Sequence, residues 1–534
     1  MHRCCAHHER SASCTPNLYV YTLPEVYRDV DDISPGRGIG AELLSPSETR
    51  NLLPGFPAGL RLWDSQQTAI GDLYYERALG FRCRTHSPLS ADLFFVPAYG
   101  QRWFCAACMK VEGDDRDALY TRLAEVRVGN ASALAARGGV DHIFLNPRDG
   151  GEFENAMFTQ LDMNDLRLGG ATRIAMGEAH DQPNPRGVQP SSSIYHSVPF
   201  ASVVHIDPAG RGGLPWAHDR SRARDKPLIA ATWNDRKSDV GVLRRVLKQQ
   251  CLARPESCTF MAPEADPKHA KPGDQLMREI AALYWGATFC LSPPGDFVSR
   301  KGVVDAALLG CIPVLFAAGQ RELWRWSWAS WAANATVLLP FDHFLRGNIN
   351  VVNYLTTIPR SRIEAMRDTL AAHAHRLHYA TIDTAHLAGI LPEPLDAFDV
   401  AIAGAHRLSL APGAVRHGLR LQQEAEEVAA RQAAYNARRA AQLAKGTCAV
   451  TEDNTGCAKG ATKGSWSMHD LSDEQLLDEC TQECLKCARC NFISVSRPYS
   501  DCSWFEECDL TNLEAAPHHH SLRVDRTAAP SAPT

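Results

Sequence analysis

From Pro227 to Phe316 the chain repeats one rhythm: a short apolar run rich in β-formers, a breaker, then an amphipathic helical pattern. PLIAATW, CTFMAP, ATFCLSP and CIPVLF read as strands, with SDVGVLRRVLKQQCL, QLMREIAALYWG and VVDAALLG as the helices between them. Strands joined through helices run parallel, and a parallel sheet needs helices over both faces. This stretch therefore commits the second half of the chain to a doubly wound α/β domain, in which ligands bind where loops leave the carboxyl ends of the strands.

The first half carries the same rhythm more loosely. NLYVYTLPEVY (17–27) and ADLFFVPAY (91–99) read as buried strands leading into loops at Pro24 and Pro97, DALYTRLAEVRVG (117–129) as a helix, and VDHIFLNP (140–147) as a further strand. Residues 181–193 and 207–226 have the composition of connectors. A chain of 534 residues is too long for one core. It divides into a Cys-containing leader (1–16), a first α/β domain (17–215), a second (216–405), a helical linker (406–446), a Cys-rich module (447–526) and a disordered tail (527–534). Two doubly wound units facing one another make a cleft.

Composition closes off several functions. With 56 basic against 61 acidic residues the net charge is −5, so no overall field draws the chain to nucleic acid or an anionic membrane. The most apolar window, Gly302–Gly319, is shorter than the ~20 residues a membrane span needs and contains Asp305 and Pro313. Eight of the 18 cysteines fall between Cys448 and Cys508, which points to a disulfide-stapled module made in an oxidising lumen. The opening MHRCCAHHERSASC has no apolar segment and reads as neither signal peptide nor anchor, so either the chain begins downstream of its natural start or it uses another route.

The chemistry gathers around Ser292-Pro-Pro-Gly-Asp296. Two prolines and a glycine after a strand force a sharp turn, and the backbone N–H groups that open the following helix are left to meet an anion such as a phosphate. Ser299 and Arg300 stand at that helix start, where a guanidinium can fork onto a diphosphate. Asp305 lies within about two turns of the same site, in the place of an acid that holds a ribose-like diol. The bland alternative is a tight turn, a surface arginine and an exposed helix acid.

CLSPPGD, VSRKGVVDAALLGCIPVLF, ADLFFVPAY, VYTLP and VDHIFLNPRDGG together resemble, in the same order, the exostosin family of glycosyltransferases, including its plant xyloglucan galactosyltransferase-like members. The resemblance covers roughly residues 17–345 and is most specific over 289–316. It implies an inverting transferase of the GT-B type, with two Rossmann-like domains. A nucleotide-sugar donor would be bound mainly by the second domain through Pro294, Gly295, Asp296, Ser299, Arg300 and Asp305, with Gly310, Cys311 and Pro313 shaping the next turn. The partners it implies are that donor and a glycan acceptor in the Golgi or secretory lumen, with no metal and no other cofactor, since a helix N-terminus plus Arg300 supplies the positive charge. The chain departs from the family in GGVDHIFLNPRDGG, which keeps Asp141, His142 and Asp149 but has Arg148 at the second histidine-type position. The base that takes the acceptor proton is therefore sought first at Asp149, next at His142, then at Glu178 and His180. The rival reading is a catalytically inactive exostosin-like protein that binds glycans.

Three further features need assignment. Trp324, Trp326, Trp328 and Trp331 can form a platform for sugar faces, although the resemblance places aromatic packing here and assigns at least two of them to the core. Asp115-Arg116-Asp117 matches a metal-binding triplet but sits in a charged run and reads as a solvated helix cap. In the tail, Cys480, Cys484, Cys487 and Cys490 have zinc-like spacing, while all eight cysteines together fit four disulfides of open pairing. The order of elements there is similar to PAN/apple-like modules, small folds that bind proteins or carbohydrate.

Overall fold

Short strands, those at Leu93–Val96, Thr172–Ala175, Phe289–Ser292 and Ile312–Leu315 buried on every side chain, build two parallel sheets. The structure, a computed structural model, describes residues 15–23, 60–63, 65, 70–97, 114–146, 166–175, 195–206, 228–234, 239–262, 273–295, 298–341, 349–380, 396–451, 455–457, 461–468 and 473–524. The first sheet contains Leu18–Val20 (β1), Arg84–Thr85 (β2), Leu93–Val96 (β3), His142–Asn146 (β4), Thr172–Ala175 (β5) and Tyr195–Ser197 (β6), in the order β2-β1-β3-β4-β5-β6. Every pairing in it is parallel. One face, with Leu18, Phe95, Ile143 and Ile174, packs with Ile70, Leu73 and Tyr74 of helix α1 (Ile70–Leu79). The other, with Phe94, Val96 and Phe144, packs with Leu119 and Leu123 of α2 (Asp114–Glu125). The alternation of side chains across a strand thus gives both layers of helices an apolar face. Asp115 and Asp117 fall in the first turn of α2.

The second sheet contains Ile229–Thr232 (β7), Cys258–Met261 (β8), Phe289–Ser292 (β9), Ile312–Leu315 (β10) and Val337–Leu338 (β11), ordered β8-β7-β9-β10-β11 and parallel throughout. Its helices are α3 (Asp239–Leu252), α4 (Gly273–Gly286) and α5 (Lys301–Leu308). The strands and helices expected between Pro227 and Phe316 all form. Buried disulfides Cys251–Cys258 and Cys290–Cys311 tie α3 to β8 and β9 to the start of β10.

A crossover, Val198–Val203, leads from β6 into Val204–Ile206, which pairs antiparallel with Leu60–Leu62. The chain later returns to the first half: Asp396 caps α6 (Ala397–Ser409) by accepting from Asp399 N, and it also accepts a 2.8 Å hydrogen bond from Arg77 Nε of α1. Both groups are fully buried. A 29-residue helix, α7 (Ala414–Gln442), follows. Its Gly418 comes so close to Gly138 and Gly170 that a Cβ there would overlap the Gly138 carbonyl. The helix ends before Gly446 because Ala444–Lys445 is taken into a sheet.

The chain divides into two compact units after Gln423. In the second unit Ala444–Lys445 (β12), Lys463–Ser467 (β13), Phe492–Ser496 (β14), Asp501–Phe505 (β15) and His520–Arg523 (β16) form an antiparallel sheet ordered β12-β16-β14-β15-β13, with α8 (Asp473–Lys486) packed on it. The eight cysteines pair as 448–508, 457–487, 480–502 and 484–490, which takes every thiol of the zinc-like spacing into a disulfide.

Candidate active site

In the second sheet the strand order reverses at β7, so the crevice for a ligand lies beyond the carboxyl ends of β7 and β9. Those strands lead to Asn234 and to Pro293-Pro294-Gly295. Arg244 of α3, 2% exposed, crosslinks the two exits: Nε and Nη2 donate to Pro294 O at 3.2 and 2.9 Å, and Nη1 donates to Asn234 O at 3.1 Å. Sequence reading missed this residue. Its signal was a basic residue in register with Leu243, Leu247 and Cys251 on the apolar face of a helix, where a charge persists only with partners.

Gly295 has a packing reason to be glycine. A Cβ there would strike the Arg300 guanidinium and lie 3.2 Å from Arg244 Nη2, so two cationic groups crowd the space a side chain would take. Arg300 is the extended N-cap of α5 and makes no side-chain cap bond, while Ser299 beside it is buried. The structure brings Gly295 and Arg300 together, with Pro294 and Ser299 next to them in the chain; Asp296 lies outside the described residues. A guanidinium pair, backbone and a helix start at one turn suit an anion.

Gln320 braces the same edge. Its Nε2 donates to Ser292 O at 3.0 Å and its Oε1 accepts from Phe316 N and Ala317 N, joining the exits of β9 and β10. Trp328 Nε1 donates to Gln320 O. Trp324, Trp328 and Trp331 are buried and meet edge to face, so these three build core and are no sugar platform. Trp326 is half-buried, stacked on His196 at 4.0 Å and packed against Gly404. Gly310 turns at φ 73°, Cys311 is bridged to Cys290, and Pro313 is in register with Cys290.

Asp305 departs from the donor-facing placement expected of it. Its side chain is buried and surrounded by the protein's own donors: Ser202 Oγ at 2.7 Å and Val203 N at 3.2 Å on Oδ1, and Lys301 Nζ at 2.8 Å on Oδ2. The nearby Tyr284 phenol is pushed up by burial and then by the Asp305 charge, against a smaller opposing pull from Arg300.

In the first sheet His142 opens β4, at the end of the strand opposite the carboxyl edge. It is fully buried, stacked on Phe94 at 4.6 Å, with Nδ1 2.8 Å from Asp141 Oδ1 and Nε2 2.9 Å from Tyr21 OH. Both ring nitrogens are engaged, the geometry of a structural histidine. Asp149, Glu178 and His180 lie outside the described residues; in sequence they follow the carboxyl ends of β4 and β5.

A family model described as the exostosin GT47 domain matches residues 15–352. Among curated relatives, the xyloglucan-specific galacturonosyltransferase 1 of Arabidopsis thaliana is 24% identical over 324 residues, 58% of this chain and 45% of that protein. The probable xyloglucan galactosyltransferase GT12 of Arabidopsis thaliana is 22% identical over 403 residues, 72% of this chain and 75% of that protein. The chain thus spans less than half the length of the first of these relatives. Among solved structures, the glycotransferase of kitacinnamycin aligns over 71% of this chain and 100% of its own at 13% identity and a TM-score of 0.29, a likeness too slight to build on.

Proposed function

The chain belongs to the exostosin GT47 family, and from that premise we propose that it is an inverting glycosyltransferase moving a sugar from a nucleotide diphosphate donor to a hydroxyl of a glycan acceptor. The observation that carries the reading is the turn at Gly295, at the switch point of the second sheet, where the guanidiniums of Arg244 and Arg300 both stand against the glycine. In such a transfer the acceptor oxygen bonds to the anomeric carbon as the bond from that carbon to the diphosphate oxygen breaks. The diphosphate leaves with the electron pair, and a base takes the acceptor proton. Arg300, with the start of α5 and Ser299, meets the developing charge on the leaving group; Arg244 holds the loop in shape and adds its own charge beneath it.

With that positive charge supplied by the protein, we propose that transfer needs no divalent cation, so full activity in excess chelator is expected. Asp149 is proposed as the base. The names of the relatives tie them to xyloglucan galactosyl and galacturonosyl transfer, which makes UDP-galactose and UDP-galacturonic acid the first donors to test. The disulfides in both units suit the Golgi or secretory lumen proposed as the compartment. Among the described residues no helix is long and apolar enough to cross a membrane.

The test is calorimetric binding of UDP and GDP, and turnover of their linked sugars, by the full chain and by Arg300→Ala. Arg300→Ala should weaken nucleotide binding by about 10-fold or more in protein that circular dichroism shows to be folded. Absence of binding by the wild type, or an Arg300→Ala variant that behaves as wild type, defeats the reading and favours the non-catalytic glycan binder.

A further inference from the structure

The crossover that joins the two sheets is gripped from the second half at successive residues. His196 stacks on Trp326, Ser197 Oγ accepts from Trp324 N at 2.9 Å, Pro199 O accepts from Tyr379 OH at 2.8 Å, and His205 Nδ1 donates to Tyr379 O at 2.6 Å. Between these grips stands Asp305, and it differs from the others in where it sits. It is on α5, whose N-cap is Arg300 at the proposed leaving-group site, and its Oδ1 accepts from both Ser202 Oγ and Val203 N of the crossover. Ser202 Oγ in turn accepts from Val204 N at 3.0 Å, at the start of the short strand paired with Leu60–Leu62. The other carboxylate oxygen accepts from Lys301 Nζ, one residue from Arg300. One buried carboxylate therefore fastens the donor helix to the crossover entering it from the first domain, and both its oxygens are used in doing so.

We propose that Asp305 is a positioning residue that sets the angle between the donor helix and the crossover, and so governs turnover without touching the donor. The inference rests on the transferase reading. A buried carboxylate with three donors is costly to break, because removing it leaves the buried Val203 N–H without its partner and the partly exposed Lys301 ammonium without its counter-charge. It also holds one geometry, since one oxygen takes both crossover donors and the other takes Lys301. Misplacement of the donor helix by a fraction of an ångström affects the transition state more than the bound ground state.

The experiment uses the full chain and UDP as probe. UDP affinity is measured by calorimetry, kcat and KM with UDP-galactose, melting temperature in parallel, and hydrogen exchange over residues 198–206. Asp305→Ala should lower kcat by about 10-fold or more while the UDP Kd stays within about 3-fold, with faster exchange at the crossover. Asp305→Asn, which keeps an acceptor for Ser202 and Val203 but drops the charge facing Lys301, should fall between. Ser202→Ala should move kcat the same way by a smaller factor, and it carries the test if the Asp305 variants do not fold. A UDP Kd weakened as much as kcat would place Asp305 on the donor and overturn the proposal. So would an unchanged kcat, or a loss in kcat that only follows the loss of folded protein. A wild type that binds and turns over UDP-galactose while these results fail sinks this inference alone; one that binds neither UDP nor GDP removes both it and the transferase reading.

Discussion

At the scale of single residues, burial decides what ionisable groups can do. His205 is held down to about 4, first by desolvation and then by its neighbour His378, against the opposing hydrogen bond to Tyr379 O; Ser65 Oγ meets its other nitrogen at 2.6 Å. His375 is likewise held down to about 4 by burial, with His378, Arg376 and His373 adding to it against Asp396. Buried His378 is also shifted down, by desolvation. An unfolded chain binds these protons near pH 6.5 and the folded one does not, so the stability they contribute is present above pH 6.5 and is lost as pH falls from there, by up to roughly 3 kcal/mol each for His205 and His375 by pH 4. Asp396, shifted down by Arg77 against the cost of its burial, acts in the same direction: its contribution is lost as acid protonates it. Melting temperatures from pH 8 to pH 4 should therefore be level at the top of the range and drop below about pH 6.5. A flat or rising profile over pH 6.5–4 contradicts this. Arg244→Ala should cost about 2–4 kcal/mol, read by urea unfolding, by leaving the carbonyls of Pro294 and Asn234 unmet.

At the scale of elements, backbone contact sets which positions tolerate a side chain. The long helix docks on the first domain through Gly418 against Gly138 and Gly170, where an added Cβ would meet the Gly138 carbonyl and lie 3.1 Å from Gly170 N. Neither neighbour is a flexible side chain, so Gly418→Ala should destabilise by about 2–3 kcal/mol. Gly286, the last residue of α4, has open space for 4 Å around the point a Cβ would occupy, and its backbone is not left-handed. Gly286→Ala should be neutral or stabilise by up to about 1 kcal/mol through a stiffer unfolded chain. Urea unfolding of the two variants compares them, and equal effects would refute the close-contact account. The first sheet shows how little of an element can be visible in sequence: β5 and β6 are four and three residues long, and runs that short display no period to read.

At the scale of the molecule, the two units rest on different stabilising terms. The first has large apolar cores around its sheets, and the second has a small core stapled by four disulfides, one of them closing 60 residues. Constraint of the unfolded chain by loops of that size is worth roughly 4 kcal/mol for the longest bridge alone. Reductant should therefore open the second unit first. Trypsin cleavage within 448–524 should rise sharply with a phosphine reductant while fragments of the first unit stay protected, and simultaneous cleavage of both would show this division of stability to be wrong.

Local grammar is legible in the chain: the β/α rhythm, the breakers that end strands at Pro293-Pro294-Gly295, the turn and arginine at Gly295 and Arg300, the long helix, and a cysteine count that asks for four bridges. Each of these rests on residues close together in the chain, where periodicity and turn chemistry act. The tertiary structure decided the rest. It paired the cysteines, turned three tryptophans into core, sealed His142 between Asp141 and Tyr21, placed Arg244 across two strand exits, and carried Asp305 away from the expected diol to the crossover at Ser202 and Val203. Tyr21 meets His142 across 121 positions and Ser202 meets Asp305 across 103, and a linear pattern holds no record of which distant donor will reach a buried acid first.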